Sequence, residues 1–181
     1  SGRGSNLAAV LETGIRVALV VSNRVNVPAL EVAAAHGVPA VTLRRSDFGG
    51  DAEARDAAIG RALSQAGVTL ALLAGYDQRL RPAYFEAYPG RTINIHPSLL
   101  PAHGGAGMMG LAVHASVLAA GDPETGVTIH EVTPDLDGGP ILAQERVAVV
   151  RGDSPEQLAA RVLEVEHRLL VRTVQALLRG G

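Results

Sequence analysis

The segment Asn94-Ile95-His96-Pro97 places an amide and an imidazole two residues apart, at the end of an apolar run. In a strand, residues two apart face the same side, so these side chains are expected to point together. An amide donor can stabilise an oxyanion, and an imidazole can act as an acid or base near neutral pH. We therefore interpret Asn94 and His96 as a catalytic pair. The alternative is that both are polar groups at a strand end, satisfied by the backbone.

A loop over residues 135–140 carries two carboxylates, Asp135 and Asp137, ahead of a Gly-Gly-Pro turn. A carboxylate beside a histidine favours the protonated imidazole and fixes its orientation. Asp137 is the candidate for this role, although such a residue also commonly does no more than shape a turn. His130 lies on the strand entering the loop, and the sequence leaves open whether it faces the site or the core. His103 and His114 are interpreted as surface or structural groups.

The first six residues, Ser1-Gly2-Arg3-Gly4-Ser5-Asn6, form a glycine-containing loop ahead of a predicted helix. Free backbone N–H groups and a hydroxyl at a helix N-terminus suit a phosphate group. The alternative is a plain turn that uses glycine for tightness. Because such a loop normally follows a strand, we expect that a first strand of about seven residues precedes Ser1 in the intact protein.

The composition excludes several classes of function. The chain has 181 residues, a net charge of −2, 3% aromatic residues and no cysteine, and its 16 basic residues are all arginine. It therefore has no thiolate nucleophile, disulfide or Schiff-base lysine, and no basic or aromatic surface typical of nucleic-acid binding. No His/Asp/Glu spacing indicates a metal site, and no apolar run reaches the roughly 18 residues of a membrane span. We expect a cytoplasmic protein without nucleic-acid or membrane partners.

Apolar runs rich in β-branched residues alternate with longer helical patterns, which predicts the elements that position these groups. The predicted strands are Ile15–Val21, Val38–Leu43, Val68–Leu73, Thr92–Ile95, Val127–Val132 and Ile141–Val149. The predicted helices are Leu7–Glu12, Val27–His36, Asp51–Ala66, Val113–Ala120 and a last one capped by Ser154 that runs to about residue 178. The fold class is therefore α/β: one domain over residues 1–181, with a Rossmann-like, open, mostly parallel sheet and helices on both faces.

Five motifs occur in a consistent order over nearly the whole chain. They are SGRGSN (1–6), AGYDQRL (74–80), NIHPSLLP (94–101), VHASVLAAG (113–121) and TIHEVTPDLDGGPILAQ (128–144). Together they resemble the phosphoribosylglycinamide formyltransferases, a branch of the folate-dependent formyltransferase superfamily. The Gly-Ala-Ala-Pro run expected after SLLP in the branch that acts on tRNA is absent. The resemblance implies formyl transfer from 10-formyltetrahydrofolate to phosphoribosylglycinamide in purine biosynthesis, by a monomer or homodimer that needs no metal.

The resemblance also implies a role for individual residues. It assigns catalysis to Asn94, His96 and Asp137, and contact with the ribosylglycinamide substrate to Gly4, Ser5, Asn6 and Glu166. The residues implied to line the folate pocket are Asp77, Gln78, Arg79 and Leu80, together with Asn94, Thr133, Pro134, Asp135 and Leu136. Three features depart from the family pattern. Ala52 stands where many members have an arginine, with Arg55 one turn further on, and Asp77-Gln78-Arg79 replaces a more usual Met-Arg-Ile type of segment. The flap AHGGAGMMG over residues 102–110 lacks the histidine that many members carry there, although Gly-Gly-x-Gly-Met flaps resemble one variant of the family.

Three other functions are compatible with parts of the sequence. Hydrolysis of formyltetrahydrofolate uses the same Asn-His-Asp trio, although such enzymes usually carry an extra regulatory domain. A folate- or nucleotide-binding module that has lost catalysis would fit the departures at Ala52 and Asp77. A nicotinamide-dependent oxidoreductase would explain the glycine loop, but the acidic residue expected after the second strand is replaced by Ser22-Asn23-Arg24.

Overall fold

The protein is described by a computed structural model that covers residues 3–134 and 139–180. The chain folds into two compact units, Ser1–Thr92 and Ile93–Gly181, which are described in turn. Among the described residues, no helix is both long and apolar enough to cross a membrane.

The first unit alternates helices and short strands, as the sequence predicts. Its elements are α1 (Ser5–Leu11), β1 (Val20–Ser22), α2 (Pro28–Ala35), β2 (Ala40–Thr42), a 3-10 turn (Arg45–Phe48), α3 (Ala52–Gln65), β3 (Leu70–Leu73), α4 (Pro82–Ala87) and the start of β4 (Arg91–His96). Strands β1 and β2 pair in parallel, with Val20 opposite Ala40 and Ser22 opposite Thr42. Parallel pairing of strands joined by a helix confirms the predicted β-α-β order in this part of the chain.

Strand β1 is shorter than its apolar run predicts: the run begins at Ile15, whereas pairing with β2 begins only at Val20. The neighbouring strand limits it: Pro39 precedes the first paired residue of β2 and has no N–H to donate. The 3-10 turn and α4 were not predicted. Helix α4 has only six residues and so shows too little periodicity to be recognised in the sequence.

A buried ion pair on α3 also binds the backbone at the start of α4. Arg55 and Asp56 are 1% and 0% exposed, and the Arg55 Nε donates to Asp56 Oδ1 at 2.7 Å. The second oxygen of Asp56 accepts the Arg81 N–H at 2.9 Å, one residue before α4 begins. Tyr84 on α4 is 1% exposed, and its hydroxyl is 2.8 Å from the Thr92 hydroxyl. These bonds fix the chain between β3 and β4.

The second unit holds the end of β4, α5 (Leu111–Ala120), β5 (Glu124–Glu131), β6 (Ile141–Ala148) and α6 (Pro155–Arg179). Strand β5 lies between β4 and β6 and is antiparallel to both. Six consecutive residues of β5, from Thr125 to His130, are buried. Helix α6 covers the strands with one apolar face, whose buried residues are Leu158, Val162, Val165, Leu169, Leu170, Thr173 and Val174.

The start of α6 shows the capping box that the sequence predicts. The Ser154 hydroxyl accepts the Gln157 N–H at 3.3 Å, and the Gln157 side chain accepts the Ser154 N–H at 2.8 Å. Asp153, just before the cap, accepts the Val150 N–H at 2.8 Å and forms an ion pair with Arg161. The hydrogen bond from Arg161 lowers the pKa of Asp153. The helix therefore begins at a well-defined residue.

Candidate functional site

Asn94 lies on β4 directly opposite His130 on β5. Its Nδ2 donates to the His130 Nε2 at 3.1 Å, and the His130 Nδ1 donates to the Glu131 carbonyl at 2.8 Å. The carbonyl can only accept, so the His130 proton is on Nδ1 and Nε2 is the acceptor for Asn94. His130 is 2% exposed and therefore faces the interior beside Asn94. The sequence left open whether His130 faces the site or the core. The structure places it in the interior, bonded to the candidate site residue Asn94.

His96, at the end of β4, is held by the loop that follows it. Its Nε2 is 2.9 Å from the carbonyl oxygen of His103, so this nitrogen carries a proton and donates it. No group within residues 3–134 and 139–180 forms a hydrogen bond with the other ring nitrogen, Nδ1. The imidazole is 5% exposed, and the bond to His103 restrains the plane of its ring.

The turn after His96 is fixed by hydrogen bonds to β5 and β6. The Thr128 hydroxyl donates to the Ser98 carbonyl at 2.7 Å and accepts the Leu100 N–H at 3.0 Å. Gln144 donates from Nε2 to the Leu100 carbonyl at 3.0 Å and to the Thr128 hydroxyl at 2.8 Å. Ser98 and Thr128 are fully buried, and such satisfied buried networks rigidify the groups they connect.

The predicted loop residues Asp135, Leu136 and Asp137 lie outside the described residues. Thr133 and Pro134 are described, and they follow directly after β5. On the other side of the loop, a Cβ added to Gly139 would lie 1.9 Å from the Glu131 carbonyl oxygen. Only glycine allows the returning chain to pass so close to β5, which sets where the predicted loop begins and ends.

In the first unit, Gly4, Ser5 and Asn6 lie at the start of α1, which begins at Ser5, two residues before the predicted Leu7. Gly4 is the N-cap with φ +78°, a conformation that glycine adopts without strain. A Cβ at this position would also lie 2.8 Å from the Cα of Ala29 at the start of α2. The loop therefore needs glycine for both its backbone conformation and its close approach to α2.

Asp77, predicted to line the folate pocket, has its carboxylate bound within the first unit. The Asn23 Nδ2 donates to Asp77 Oδ1 at 2.8 Å, and the Arg24 guanidinium forms an ion pair with Oδ2. Asn23 and Arg24 follow β1, so the bond joins the ends of β1 and β3. Of the other predicted residues in this segment, Leu80 is buried, whereas Gln78 and Arg79 are exposed. The aspartate at this departure from the family pattern therefore organises the loop that carries it.

Two buried polar atoms lie close to this segment. The Tyr76 hydroxyl and the Arg55 NH1 are both buried without a hydrogen-bond partner among the described residues. Burial raises the pKa of Tyr76 to about 12, so its hydroxyl is neutral at physiological pH. Arg55, one turn beyond Ala52, is paired with Asp56 in the core of the first unit.

Glu166, predicted to contact the amine substrate, lies on α6 and is partly exposed. The sequence left the role of His130 open, interpreted His103 as a surface or structural group, and did not single out Thr128 or Gln144 as individual residues. Thr128 and His130 are two apart on β5 and so share a face, a signal available in the sequence once the strand was recognised. Gln144 and His103 carry no comparable signal. No group of three or more His, Asp or Glu side chains among the described residues could hold a metal ion.

Comparison with known proteins gives a consistent result. A family model described as formyl transferase matches residues 1–174. The phosphoribosylglycinamide formyltransferase of Escherichia coli is 38% identical over 93% of this chain and 80% of its own length. The chloroplastic enzyme of Arabidopsis thaliana is 38% identical over 98% of this chain. The chain spans only 63% of that plant protein, and 18% of the trifunctional purine biosynthetic protein adenosine-3 of Gallus gallus, which is 37% identical.

Solved structures show the same similarity. Glycinamide ribonucleotide transformylase 1 from Symbiobacterium toebii superimposes with a TM-score of 0.92 and 38% identity, over 99% of this chain and 85% of the other. Phosphoribosylglycinamide formyltransferase from Brucella melitensis gives a TM-score of 0.86 and 39% identity, over 98% and 91%. The predicted α/β fold class is confirmed by these superpositions.

Proposed function

Because the chain belongs to the formyl transferase family, we propose that it transfers the formyl group of 10-formyltetrahydrofolate to the amine of phosphoribosylglycinamide, as part of purine biosynthesis. The relatives that bear this name are similar over nearly all of the chain, in sequence and in structure. The family resemblance noted in the sequence is thereby confirmed. The residue roles below are supported by that resemblance and by the geometry of each side chain.

The reaction moves one carbon between two nitrogens. The free amine of the glycinamide attacks the formyl carbon, and a tetrahedral intermediate forms with negative charge on the formyl oxygen. The bond between this carbon and the folate N10 then breaks, while the proton lost by the amine ends on N10. The protein must stabilise the oxyanion and move that proton, and it needs neither an oxidant nor a metal for this step.

Asn94 and His96 are the groups proposed to stabilise the oxyanion. The hydrogen bond to His130 holds the Asn94 amide in one orientation with its Nδ2 as donor. A protonated His96 would keep its Nε2–H on the His103 carbonyl and donate Nδ1–H to the formyl oxygen. Preorganised donors of this kind are typically worth roughly 3–4 kcal/mol of barrier each. The single observation that carries the assignment is that, among the described residues, His96 is bound through Nε2 alone, which leaves Nδ1 for the reaction.

Asp137 is proposed to favour the protonated form of His96, which also prepares this imidazole to pass a proton toward N10. The sign of the effect follows from charge: a carboxylate close to an imidazole raises the pKa of the imidazole. An Asp137→Asn variant should therefore lose turnover while it stays folded, because the amide has no charge with which to favour the protonated ring.

The remaining roles concern binding. Gly4, Ser5 and Asn6 are proposed to bind the phosphate of the ribosylglycinamide and Glu166 to lie near its amine. The pterin of the folate is proposed to contact the backbone of residues 77–80 and the loop over residues 133–137. A metabolic enzyme of this kind is expected in the cytoplasm, as a monomer or homodimer.

The test is a formyl-transfer assay with the purified chain, phosphoribosylglycinamide and 10-formyltetrahydrofolate, in which release of tetrahydrofolate is followed. Release that depends on the glycinamide substrate is the expected result. Release at the same rate without it would identify a hydrolase instead. If the folded protein bound both substrates but released nothing, the binding-module interpretation would replace the enzyme.

A further inference from the structure

His103 has an unusual backbone conformation at the point where it contacts His96. Its φ is +54°, a left-handed value that few residues other than glycine adopt. In this conformation its carbonyl accepts the Nε2–H of His96 at 2.9 Å. The next glycine in the chain, Gly104, does not take the strained position. A non-glycine residue in this conformation persists only where its surroundings hold it there.

The side chain of His103 supplies that restraint. Its Nδ1 is 2.8 Å from the Ser116 hydroxyl on α5, and its Nε2 is 2.7 Å from Asp122 Oδ2, just beyond the end of α5. Both ring nitrogens are therefore bonded, and the side chain is only 14% exposed. Since a carboxylate accepts, Nε2 carries a proton and donates it to Asp122. The ring is fixed at two points on one rigid element.

We propose that His103 is a positioning residue for His96: Ser116 and Asp122 hold its imidazole, and its carbonyl thereby orients the His96 ring and keeps a proton on Nε2. The inference rests on the proposed function in one respect, namely that His96 is the group that acts on the formyl oxygen. It adds Asp122, Ser116 and His103 to the residues on which turnover depends, although their proposed action on the reaction passes through His96.

The chemical consequence concerns which nitrogen of His96 faces the reaction. A backbone carbonyl is an acceptor only, so it selects the tautomer with the proton on Nε2 and stabilises the doubly protonated ring as well. Without this acceptor the His96 ring could turn or exchange tautomers, and Nδ1 would no longer face the reaction with a constant protonation state. Two other imidazoles belong to the same surroundings, since His114 on α5 interacts electrostatically with His96 and His130 on β5 bonds to Asn94.

Three variants separate the side chain of residue 103 from its carbonyl. His103→Ala keeps the carbonyl but removes both anchors, and Asp122→Ala removes one of them. His103→Gln is the conservative variant, because its terminal amide reaches about as far as Nε2 and can still donate to Asp122. His36→Gln, at an exposed histidine of α2's C-terminal end, is the matched control. Thermal unfolding of each variant verifies that it is folded.

Two readouts test the proposal. In steady-state kinetics, His103→Ala and Asp122→Ala should lower kcat roughly ten- to hundredfold, since misplacing a catalytic group by about 1 Å can cost on the order of 10²-fold. KM for both substrates should stay unchanged, the acid-base profile of kcat should shift, and His103→Gln should recover most of the loss. The second readout is 15N NMR of the His96 ring, whose signals are assigned with a His96→Asn variant. In the parent protein and in His103→Gln, the ring proton should be on Nε2. In the two alanine variants, the ring should be a mixture of tautomers.

Folded alanine variants with parental kcat, or with the His96 proton still confined to Nε2, would overturn the proposal. A uniform loss in all variants that follows only their loss of thermal stability would also overturn it, because His103 would then be merely structural. If Asp122→Ala does not fold, Ser116→Ala and His103→Ala provide the same comparison. The NMR readout needs no turnover, so failure of the proposed formyl transfer in the parent protein remains distinguishable from failure of this inference.

Discussion

Asn94 and His130 are 36 residues apart in the chain but directly opposite each other on antiparallel strands, where the Asn94 amide donates to an imidazole nitrogen. The two nitrogens of His130 have different partners, because Nδ1 donates to the Glu131 carbonyl and Nε2 accepts from Asn94. This arrangement decides that the amide oxygen of Asn94 points away from His130. The Asn94 amide, which we propose to be catalytic, is thus oriented by a histidine on the neighbouring strand.

Asn94→Asp and His96→Ala should each reduce kcat by on the order of 10² or more, the typical loss when one oxyanion donor is removed. The aspartate is nearly isosteric, so it leaves no cavity, but it has no N–H to donate and adds a negative charge, so the loss combines the missing donor with repulsion of the oxyanion. Tetrahydrofolate release is measured at saturating substrates, with His36→Gln as the control. Parental turnover in either folded variant would show that the assignment of these two residues is wrong.

Gly4→Ala should destabilise the protein and weaken binding of phosphoribosylglycinamide. The added Cβ is strained at φ +78° and also meets the backbone of Ala29 at 2.8 Å. Gly14→Ala is a matched control, because Gly14 has φ +76° but no atom within 4 Å of the added Cβ. The backbone strain alone is worth about 1–2 kcal/mol, so urea unfolding should show at least that loss for Gly14→Ala and a larger one for Gly4→Ala. Equal losses would mean that α2 moves aside without cost.

His114→Leu should make the protein less sensitive to acid. His114 is buried, its Nδ1 has no hydrogen-bond partner among the described residues, and burial, followed by the proximity of His96, lowers its pKa. As the pH falls through about 6.5, the unfolded chain takes up a proton at this residue that the folded protein does not, so stability is lost. The melting temperature of the variant should match or exceed the parental value at about pH 7.5 and fall less on going to about pH 5.5. Parallel declines in both proteins would contradict the assignment of this effect to His114.

Arg24→Ala and Asp77→Ala should be coupled. The ion pair joins the loops after β1 and β3, but Arg24 is 57% exposed, so a double-mutant cycle should give a coupling of only about 0.2–1 kcal/mol. Asp77→Ala should cost more than Arg24→Ala because Asp77 also accepts from Asn23. If residues 77–80 contact folate, both variants should raise KM for 10-formyltetrahydrofolate and leave kcat nearly unchanged. Additive losses in the cycle would show that the pair contributes nothing.

Local patterns in the sequence were sufficient for the order of the described strands and of the longer helices, for the cap at Ser154 and for the placement of Asn94 and His96 on one strand, but not for α4 or the 3-10 turn. These features depend on side-chain periodicity and on hydrogen bonds between residues a few positions apart, which a sequence displays directly. The same patterns overestimated β1, because the length of a ladder depends on its partner strand and Pro39 ends the pairing there.

Tertiary structure alone decided which groups orient the predicted pair. His130 reaches Asn94 through the register of β4 and β5, and His103 reaches His96 through a loop conformation that α5 stabilises. Asp77 forms its ion pair with Arg24, which lies in a loop 53 residues earlier in the chain. Register and loop closure follow from which faces become buried together, a property of the whole chain. The sequence therefore determined which residues can do chemistry, and the packing determined the direction in which their donors and acceptors point.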